Sequence, residues 1–417
     1  MDELPAADHR YIALAPGFPP MREPCAAVHR RRRDRRMSAR EASRFVVIGA
    51  GLAGASAAWR LAQRGHEVVL LERRVPASPD GSSHGSARIF RYAYEKPLYV
   101  RLVQQAARGW AEIEALKAGR DGPLLTRTGA VDFGTDRDVP GLAAVLAAEG
   151  VDHEVLTAAQ ARERWPQIAF DSPVLHHPQA GVLDPLATVL AMLDAARSEG
   201  ARVLTGWPVA RVERRGAGFL VRAADGRRVE AERVIVAAGG WLPALLGELG
   251  LPEPFLRAFP PLQVRQENAF HFPYRQEVAA AEDWPTVVHK GGGMPVYALP
   301  GGRDAAYRGH KVAEFNGGRR LASAATQDGI VDPANRARVT DFVARAFPGL
   351  APDPYAEATC LFTNTPGEDF LVDEAEGVTI VSACSGHGAK FAPLLGELAA
   401  EAALGGAGVP GEFRVSV

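Results

Sequence analysis

The spacing of the apolar residues changes twice between residues 45 and 72. Residues 45–48 form a continuous apolar run typical of a buried strand, and the alanine-rich residues 52–64 predict a helix. A second apolar run, residues 67–72, ends in an acid, Glu72. The turn before the helix contains three glycines with the spacing GxGxxG: Gly49, Gly51 and Gly54. The pattern therefore predicts a complete βαβ unit rather than an isolated glycine motif.

This βαβ unit predicts a dinucleotide-binding site. Its glycines allow a tight turn and the close approach of a pyrophosphate, which the positive end of the helix attracts. Glu72 follows Gly54 by 18 residues, a position from which a carboxylate accepts hydrogen bonds from an adenosine ribose. Because a carboxylate there would repel a 2′-phosphate, Glu72 argues against NADP. Arg73 follows, and we predict that it lies beside the nucleotide or in a solvated turn.

Further strand patterns are spread along the rest of the chain. They occur at residues 201–204, 218–222, 233–236 and 378–381. Asp225 and Gly226 predict a hairpin turn between the second and third of these strands. A helix is predicted from about residue 393 to residue 404. The elements that suit a nucleotide-binding sheet are therefore discontinuous in the sequence.

We predict a two-domain architecture of the α/β (α+β) class. A Rossmann-like dinucleotide-binding domain takes residues 41–120, 180–245 and 360–410, and an inserted mixed-sheet substrate domain takes residues 121–179 and 246–359. Residues 1–40 are rich in proline and arginine without periodicity, which predicts a disordered extension. No apolar segment follows the arginine run in this extension, so an export signal is not expected.

Composition narrows the class of protein. The 417 residues are 47% hydrophobic and 23% charged, as in an ordinary globular enzyme. The formal net charge of −1 gives no electrostatic reason to expect nucleic acid or an anionic membrane as a partner. Three cysteines are too few for a disulfide framework, which fits the cytoplasm. His176, His177 and Cys384 lack the spacing of metal ligands, so no metal site is predicted.

Four segments carry a resemblance beyond the dinucleotide motif. They are residues 81–94, residues 261–266, residues 360–366 with Phe370 and Asp373 after them, and residues 385–391. With these segments the chain resembles the monomeric sarcosine oxidase and N-methyltryptophan oxidase family, within the D-amino-acid oxidase-like flavoproteins. The resemblance covers residues 44–410.

The resemblance implies that the dinucleotide is FAD, bound by the discontinuous domain. In this family a cysteine at the position of Cys360 carries FAD through a thioether, whereas an isolated cysteine judged by itself is more often structural. Besides the βαβ residues, the resemblance places FAD contacts at Ser83, His84, Val209, Gly239, Gly386, His387, Gly388 and Lys390.

The resemblance also assigns catalytic and substrate-binding residues. Arg91 and Lys390 match the cations that hold the substrate carboxylate. Three residues are placed beside the reacting groups: Arg88 over the flavin face, Tyr297 in the active site, and Lys311 as the lysine that activates oxygen. Lys290 is the alternative to Lys311, because the register between residues 300 and 311 leaves both open.

Phe315 is the notable departure from the family pattern. It stands where simpler sarcosine oxidases have a histidine, which suggests a larger or more apolar substrate than sarcosine. The activity implied is oxidation of a secondary or cyclic α-amino acid to an imine, with O2 reduced to hydrogen peroxide. The alternatives are a dehydrogenase that passes electrons to another acceptor, an NAD-dependent dehydrogenase and a non-catalytic flavin-binding protein. The expected partners are the small-molecule substrate and O2, and the expected assembly is a monomer or homodimer.

Overall fold

The computed structural model of the chain describes residues 42–117, 122–275 and 284–415. The extension predicted at residues 1–40 lies outside these described residues. The helices are α1 (Leu52–Gln63), α2 (Pro97–Leu116), α3 (Val139–Ala148), α4 (Ala158–Arg164), α5 (Pro185–Ser198), α6 (Leu242–Leu245), α7 (Glu253–Ala258), α8 (Pro333–Ala346) and α9 (Ala392–Ala403). The strands are β1 (Ala42–Ile48), β2 (Val68–Leu71), β3 (Arg88–Phe90), β4 (Leu125–Arg127), β5 (Ala130–Phe133), β6 (Glu154–Leu156), β7 (Val174–His177), β8 (Gly181–Leu183), β9 (Arg202–Leu204), β10 (Val209–Arg215), β11 (Gly218–Ala223), β12 (Arg228–Val236), β13 (Gln263–Pro273), β14 (Thr286–His289), β15 (Val296–Pro300), β16 (Gly309–Glu314), β17 (Arg319–Leu321), β18 (Ala356–Asn364), β19 (Leu371–Ala375) and β20 (Val378–Ser382).

The first sheet has a parallel centre built from distant parts of the chain. Its strands β9, β2, β1, β12 and β20 are parallel neighbours in that order. The antiparallel strands β10 and β11 extend one side, and β19 pairs with β20. The predicted strands, the helices α1 and α9 and the turn at Asp225 and Gly226 are all present, so the prediction of a discontinuous Rossmann-like sheet is confirmed.

Strand β1 is apolar throughout its second half because both of its faces are buried. Phe45 and Val47 pack into the core that contains residues of α1, α2, α5 and α9. Val46 and Ile48 point to the opposite face and pack with residues of β10, β11 and β12. Burying a side chain of this size contributes about 1.5–3 kcal/mol. A strand covered on both faces therefore reads as a continuous apolar run rather than an alternating one.

The second sheet is mixed and has its own core. Its order is β17, β13, β16, β15, β14, β5, β7 and β6, with β18 paired along β13. Helix α8 packs on it, so that Val339 and Phe342 join Phe270 and Trp284 in a separate apolar cluster. A small third sheet consists of β3, β8 and β4. The mixed sheet beside the Rossmann-like sheet confirms the predicted fold class, whereas the domain boundaries remain a prediction.

The carboxyl ends of the parallel strands meet at one edge of the first sheet. Ile48, Leu71, Val236 and Ser382 end β1, β2, β12 and β20, and the residues that follow each strand line a common cavity. Ligands of open α/β sheets bind outside this edge. Among the described residues, no helix is long and apolar enough to cross a membrane.

Candidate active site

A cavity of about 700 Å³ lies between the two large sheets. The first sheet contributes the loops after β1, β2, β12 and β20, and the second contributes residues of β14, β15 and β18. The predicted residues that line it are Gly49, Gly51, Glu72, Arg73, Ser83, Arg88, Arg91, Val209, Gly239, Tyr297, Phe315, Cys360, Gly386, His387, Gly388 and Lys390. Gly54, His84 and Lys311 are outside this lining. The fold thus brings together most residues that the sequence singled out.

The glycine turn after β1 has no room for side chains. Gly49 has a φ of +103°, and a Cβ atom there would lie 2.5 Å from the carbonyl oxygen of Ala237. A Cβ on Gly54 would lie 1.9 Å from the oxygen of Gly49, so Gly54 lets α1 begin directly against the turn. Gly51 precedes the helix and has no side chain of its own to cap it, whereas the hydroxyl of Ser83 accepts a hydrogen bond of 3.0 Å from the N–H of Leu52. The positive end of the helix, with the Ser83 hydroxyl beside it in the cavity lining, suits a phosphate.

Glu72 is fixed across the end of β1 by two backbone bonds. The N–H groups of Ala50 and Arg74 donate to its two carboxylate oxygens, each at 2.8 Å. Each oxygen keeps a further lone pair that can accept from a hydroxyl group. Arg73 lies in the same lining, with its guanidinium 5.5 Å from the ring of Trp241. The arrangement suits an adenosine ribose held by Glu72.

Lys390 is a buried cation whose side chain is held by two oxygen atoms. The residue is 3% exposed, and its Nζ donates to the hydroxyl of Tyr94 at 2.9 Å and to the carbonyl oxygen of His387 at 2.6 Å. Burial lowers the pKa of Lys390 well below its ordinary value, and the positive charge of Arg91 lowers it further. The guanidinium of Arg91 lies 4.6 Å from the ring of Tyr94 and donates to the carbonyl oxygen of Ala93.

Tyr94 thus connects two cations that lack a carboxylate partner. Within the described part of the chain, no ion pair joins Arg91 or Lys390 to an aspartate or glutamate. Two positive groups that are close together and desolvated repel each other, and an anion placed between them removes that repulsion. The pair is therefore suited to bind a carboxylate.

A second group of residues surrounds the thiol of Cys360. Cys360 lies on β18, opposite Glu267 of β13, and is buried against the cavity. Burial raises the pKa of the Cys360 thiol, and the positive charges of Arg88 and Lys311 oppose that rise. Burial likewise raises the pKa of Tyr297, so the phenol stays protonated. The cations beside Cys360 are the groups that would stabilise a thiolate.

Arg88 and Lys311 meet at the backbone of Ala87. Arg88 donates to the carbonyl oxygens of Ala87 at 2.9 Å and Ser82 at 3.0 Å, and it lines the cavity. The Nζ of Lys311 lies 3.4 Å from the same Ala87 oxygen. Ala87 lines the cavity, whereas Lys311 does not. Burial lowers the pKa of Lys311 to about 8, and the charge of Arg88 acts in the same direction. Lys290, the alternative lysine, lines the cavity and is half-exposed.

Phe315 and Phe362 form an aromatic part of the cavity wall. The ring of Phe315 lies 5.6 Å from that of Phe362, and both side chains line the cavity. Gly386 has a φ of +68°, and a Cβ atom there would lie 2.5 Å from the Phe315 ring. The rings of Phe315 and Phe362 therefore pack against the backbone at Gly386. They give the cavity an apolar surface for part of a ligand.

The two predicted histidines are neutral and half-buried. Nδ1 of His387 forms a hydrogen bond of 3.0 Å with the hydroxyl of Tyr94. The His387 ring also stacks on Phe370, with ring centres 4.8 Å apart. Burial lowers the pKa of His387 to about 3, and Lys390 lowers it further. Burial also lowers the pKa of His84 to about 3, and Arg88 and Lys311 are its nearest cations. His387 thus supports the cation site through Tyr94, whereas His84 lies behind the cavity.

Comparison with known proteins identifies the family. A model of the FAD dependent oxidoreductase family, DAO, matches residues 44–402. The chain belongs to this family. It is 31% identical over 373 residues to monomeric sarcosine oxidase from Streptomyces avermitilis, which covers 87% of this chain and 93% of the relative. It is 32% identical over 369 residues to N-methyl-L-tryptophan oxidase from Yersinia pestis, over 85% of this chain and 93% of the relative.

A solved structure agrees with the fold. NikD, described as an unusual amino acid oxidase essential for nikkomycin biosynthesis, superposes in its open form with a TM-score of 0.78. The two chains are 22% identical, and the match covers 90% of this chain and 98% of NikD. The resemblance drawn from the four sequence segments is thus confirmed, and the protein is an FAD-dependent oxidoreductase of the amino acid oxidase family.

The residues of the cavity fit the family's FAD. The turn at Gly49 and Gly54, which any Cβ would fill, and the positive start of α1 with Ser83 beside it suit a pyrophosphate. Glu72 suits the adenosine end, and the same cavity continues to Arg88, Tyr297 and Cys360. In the described ranges, no group of three or more histidine, cysteine, aspartate or glutamate side chains is arranged to hold a metal ion.

Several residues of the cavity were not predicted as site residues from the sequence. Tyr94 follows Arg91 by three residues within one of the four family segments, and its hydroxyl is the contact that brings Lys390 into the site. Asp132 could have been recognised as an acid inside the apolar strand β5, and it binds Arg137, which lines the cavity. Glu95 and Lys290 meet at the same cavity, but no local pattern indicates this contact.

Proposed function

We propose that this protein oxidises secondary or cyclic α-amino acids to imines and transfers the electrons to O2, forming hydrogen peroxide. The observation that carries the proposal is the pair of cations formed by the half-buried Arg91 and the buried Lys390, which share Tyr94 in the same cavity as the glycine turn. The names of the two relatives, a sarcosine oxidase and an N-methyl-L-tryptophan oxidase, support an N-methylated or otherwise secondary amine.

The proposed task of Arg91 and Lys390 is to bind and orient the substrate carboxylate. Arginine presents a planar fork and lysine a point charge, so together they fix the position of both carboxylate oxygens. The same cations favour the neutral form of a nearby amine, because a second positive charge beside them is repelled. A neutral amine has the lone pair that the oxidation needs. When bound, FAD accepts the two electrons from the carbon next to nitrogen.

The aromatic residues of the cavity are proposed to exclude water and shape the substrate site. Phe315 and Phe362 present apolar rings, and Tyr297 is half-buried on the neighbouring strand β15. Exclusion of water strengthens the attraction between the buried cations and a carboxylate. Because Phe315 and Phe362 give the cavity an apolar wall, we infer that the favoured substrate has a larger carbon skeleton than sarcosine to place against it.

Peroxide-coupled screening of the purified holoprotein tests this proposal. Sarcosine, N-methyl-L-tryptophan, L-pipecolate and L-proline are compared with the primary amines glycine and L-tryptophan. We expect peroxide from the secondary amines and much less from the primary ones. Flavin bleaching without peroxide would instead indicate the dehydrogenase, and no bleaching with any of these amines or with N-methyl-L-glutamate would refute amino acid oxidation.

We further propose that Cys360 carries the FAD through a thioether to the flavin 8α carbon. Its support is the position of the thiol in the cavity, where the charges of Arg88 and Lys311 favour a thiolate. The S–C bond would replace the S–H bond of the thiol and one C–H bond of the methyl group, and the two electrons released would pass to the flavin and then to O2. Intact mass and peptide mapping of acid-denatured protein test the link. An FAD-sized adduct on the Cys360 peptide supports it, whereas unmodified protein with flavin in the supernatant rules it out.

A further inference from the structure

Two more cations line the cavity and meet at a single carboxylate oxygen. Nη1 of Arg137 lies 3.3 Å from Oε1 of Glu95, and Nζ of Lys290 lies 3.5 Å from the same oxygen. Arg137 and Lys290 come from different sheet elements, after β5 and after β14. Glu95 lies on the segment that joins β3 to α2, and its side chain is 67% exposed. The Glu95 oxygen therefore marks a point where two cavity cations together bind an anion.

Arg137 is held rigidly for this contact by a buried acid. Its side chain is 3% exposed, and its Nε and Nη2 atoms donate to Oδ1 of Asp132 at 3.1 Å and 2.5 Å. The other carboxylate oxygen of Asp132 lies 3.3 Å from Nε2 of His177. Burial alone would raise the pKa of Asp132, but the charge of Arg137 and the His177 hydrogen bond outweigh it and hold that pKa below its ordinary value. Two guanidinium nitrogens are thus committed to Asp132, and Nη1 remains for the cavity.

A buried ion pair contributes little net stability at this position, because both charges are desolvated. Asp132 lies within β5, whose other residues are apolar and buried, and an apolar pair of similar volume would be at least as stabilising. The arrangement therefore needs a reason other than packing. Because Arg137 ends at the cavity and shares its anion position with Lys290, ligand recognition supplies that reason.

We propose that Arg137 and Lys290 form a second anion site, so that the substrate is an amino acid with a second carboxylate. This inference rests on the proposed function, since Arg91 and Lys390 bind the first carboxylate. The side chain of Glu95 is exposed, and it moves away from Arg137 and Lys290 when the second carboxylate binds. Glu368 and Asp369 also line the cavity. Asp369 pairs with Lys96, and Glu368 accepts a hydrogen bond from Asn316 at 3.1 Å; burial raises the pKa of Glu368, which weakens its repulsion of an anion.

Calorimetric titration of the holoprotein with carboxylates that lack an amine tests the second site. Glutarate, with succinate and adipate to vary the span, is compared with valerate, which has one carboxylate. We expect glutarate or one of its homologues to bind more tightly than valerate. Lys290→Met should weaken that binding by roughly three- to tenfold, the range for one charge-assisted contact at a half-exposed site.

Variants at two exposed residues, Glu95 and Lys96, make the test specific. Glu95→Gln should tighten dicarboxylate binding, because it removes the carboxylate that competes for Arg137 and Lys290, and should leave valerate binding unchanged. Lys96→Met removes the same charge as Lys290→Met from the same cavity lining, but Lys96 pairs with Asp369 at 2.8 Å. Equal loss in Lys96→Met and Lys290→Met would show a long-range charge effect and overturn the site. Weaker dicarboxylate binding in Glu95→Gln would also overturn it.

The outcomes separate the second site from the proposed activity. The carboxylates have no amine to oxidise, so their binding is read whether or not the protein is an amine oxidase. Oxidation of N-methyl-L-leucine in preference to N-methyl-L-glutamate, with no preference for dicarboxylates, would refute the second site and leave the activity standing. Selective dicarboxylate binding with no oxidation of any amino acid would support the site and refute the activity.

Discussion

Replacement of Lys311 by methionine tests the electrostatics at the centre of the site. The lysine is 6% exposed, and the sole hydrogen bond of its Nζ to the described residues is to the oxygen of Ala87 at 3.4 Å. Burial, then repulsion from Arg88, lowers its pKa from the ordinary 10.5 to about 8, whereas Asp304 acts in the opposite direction. Since the folded protein holds this proton more weakly than the unfolded chain, stability must rise with pH while only the unfolded chain is protonated.

The size of this effect follows from the two pKa values. Below about pH 8 both states are protonated, and above pH 10.5 both are neutral, so Lys311 changes the pH dependence only between these limits. The window spans about 2.5 pH units at about 1.36 kcal/mol per unit, which gives a gain of about 3 kcal/mol. Methionine has a similar length and no charge, so the Lys311→Met variant lacks this gain.

Urea unfolding of wild type and Lys311→Met from pH 7 to pH 10.5 measures the gain directly. We expect the free energy of unfolding of wild type, minus that of the variant, to grow by about 3 kcal/mol across the window. Other titrating groups are present in both proteins and cancel in the difference. Lys96→Met is the control, because Lys96 is exposed and paired with Asp369, and its curve should parallel that of wild type. A Lys311→Met curve that also parallels wild type would refute the reasoning.

The same titration should appear in the reaction with oxygen. If Lys311 supplies the positive charge for oxygen activation, the reoxidation rate falls as pH rises through about 8. Stopped-flow measurements of the two half-reactions should show that Lys311→Met slows reoxidation far more than reduction and removes this pH dependence. Equal slowing of both half-reactions would rule out the assigned role. Slowing by Lys290→Met instead would assign the role to the alternative lysine.

Three further changes test the rest of the site. Gly54→Ala places a methyl group 1.9 Å from the oxygen of Gly49 and should lower the free energy of unfolding, measured in urea, by about 3 kcal/mol or more. In the control Gly247→Ala the new methyl group meets open space, so the free energy of unfolding should fall by less than about 1 kcal/mol. Glu72→Gln loses one of two backbone contacts and the charge that strengthens both, so the unfolding free energy should fall by about 1–2 kcal/mol and the flavin content of purified protein should drop. Lys390→Met should raise the KM for the best substrate by roughly ten- to a hundredfold, with little change in KM indicating that Lys390 does not bind the carboxylate.

The dinucleotide end of the site could be predicted because its information is local. Strand β1, the glycines, helix α1 and Glu72 lie within one stretch of about 30 residues, and each feature has a direct physical meaning. The order of the second sheet could not be predicted in this way. Its register depends on pairings such as Cys360 with Glu267, which no periodicity of either strand specifies.

The substrate end shows why single residues were predicted but their contacts were not. Lys390 was recognisable because the chain has only five lysines and this one lies among small and apolar residues. Its partner Tyr94 is 296 residues away, and only the folded chain shows that the two meet. Arg137 is harder to recognise from the sequence, because the protein is rich in arginine and this one is distinguished only by its burial beside Asp132.

Charge and burial together explain what the cavity selects. A buried cation without a carboxylate partner, such as Lys390, is destabilising until an anion binds, so an anionic ligand gains affinity and stabilises the fold by the same interaction. Arg137 differs because Asp132 already neutralises it, and the role we propose for it is to present one nitrogen in a fixed direction. In the proposed arrangement the first pair of cations supplies attraction for any carboxylate, whereas Arg137 supplies geometry. A ligand that used both sites would need its two acidic groups at one particular spacing, which would be the basis for selection among amino acids that share the same α-carboxylate.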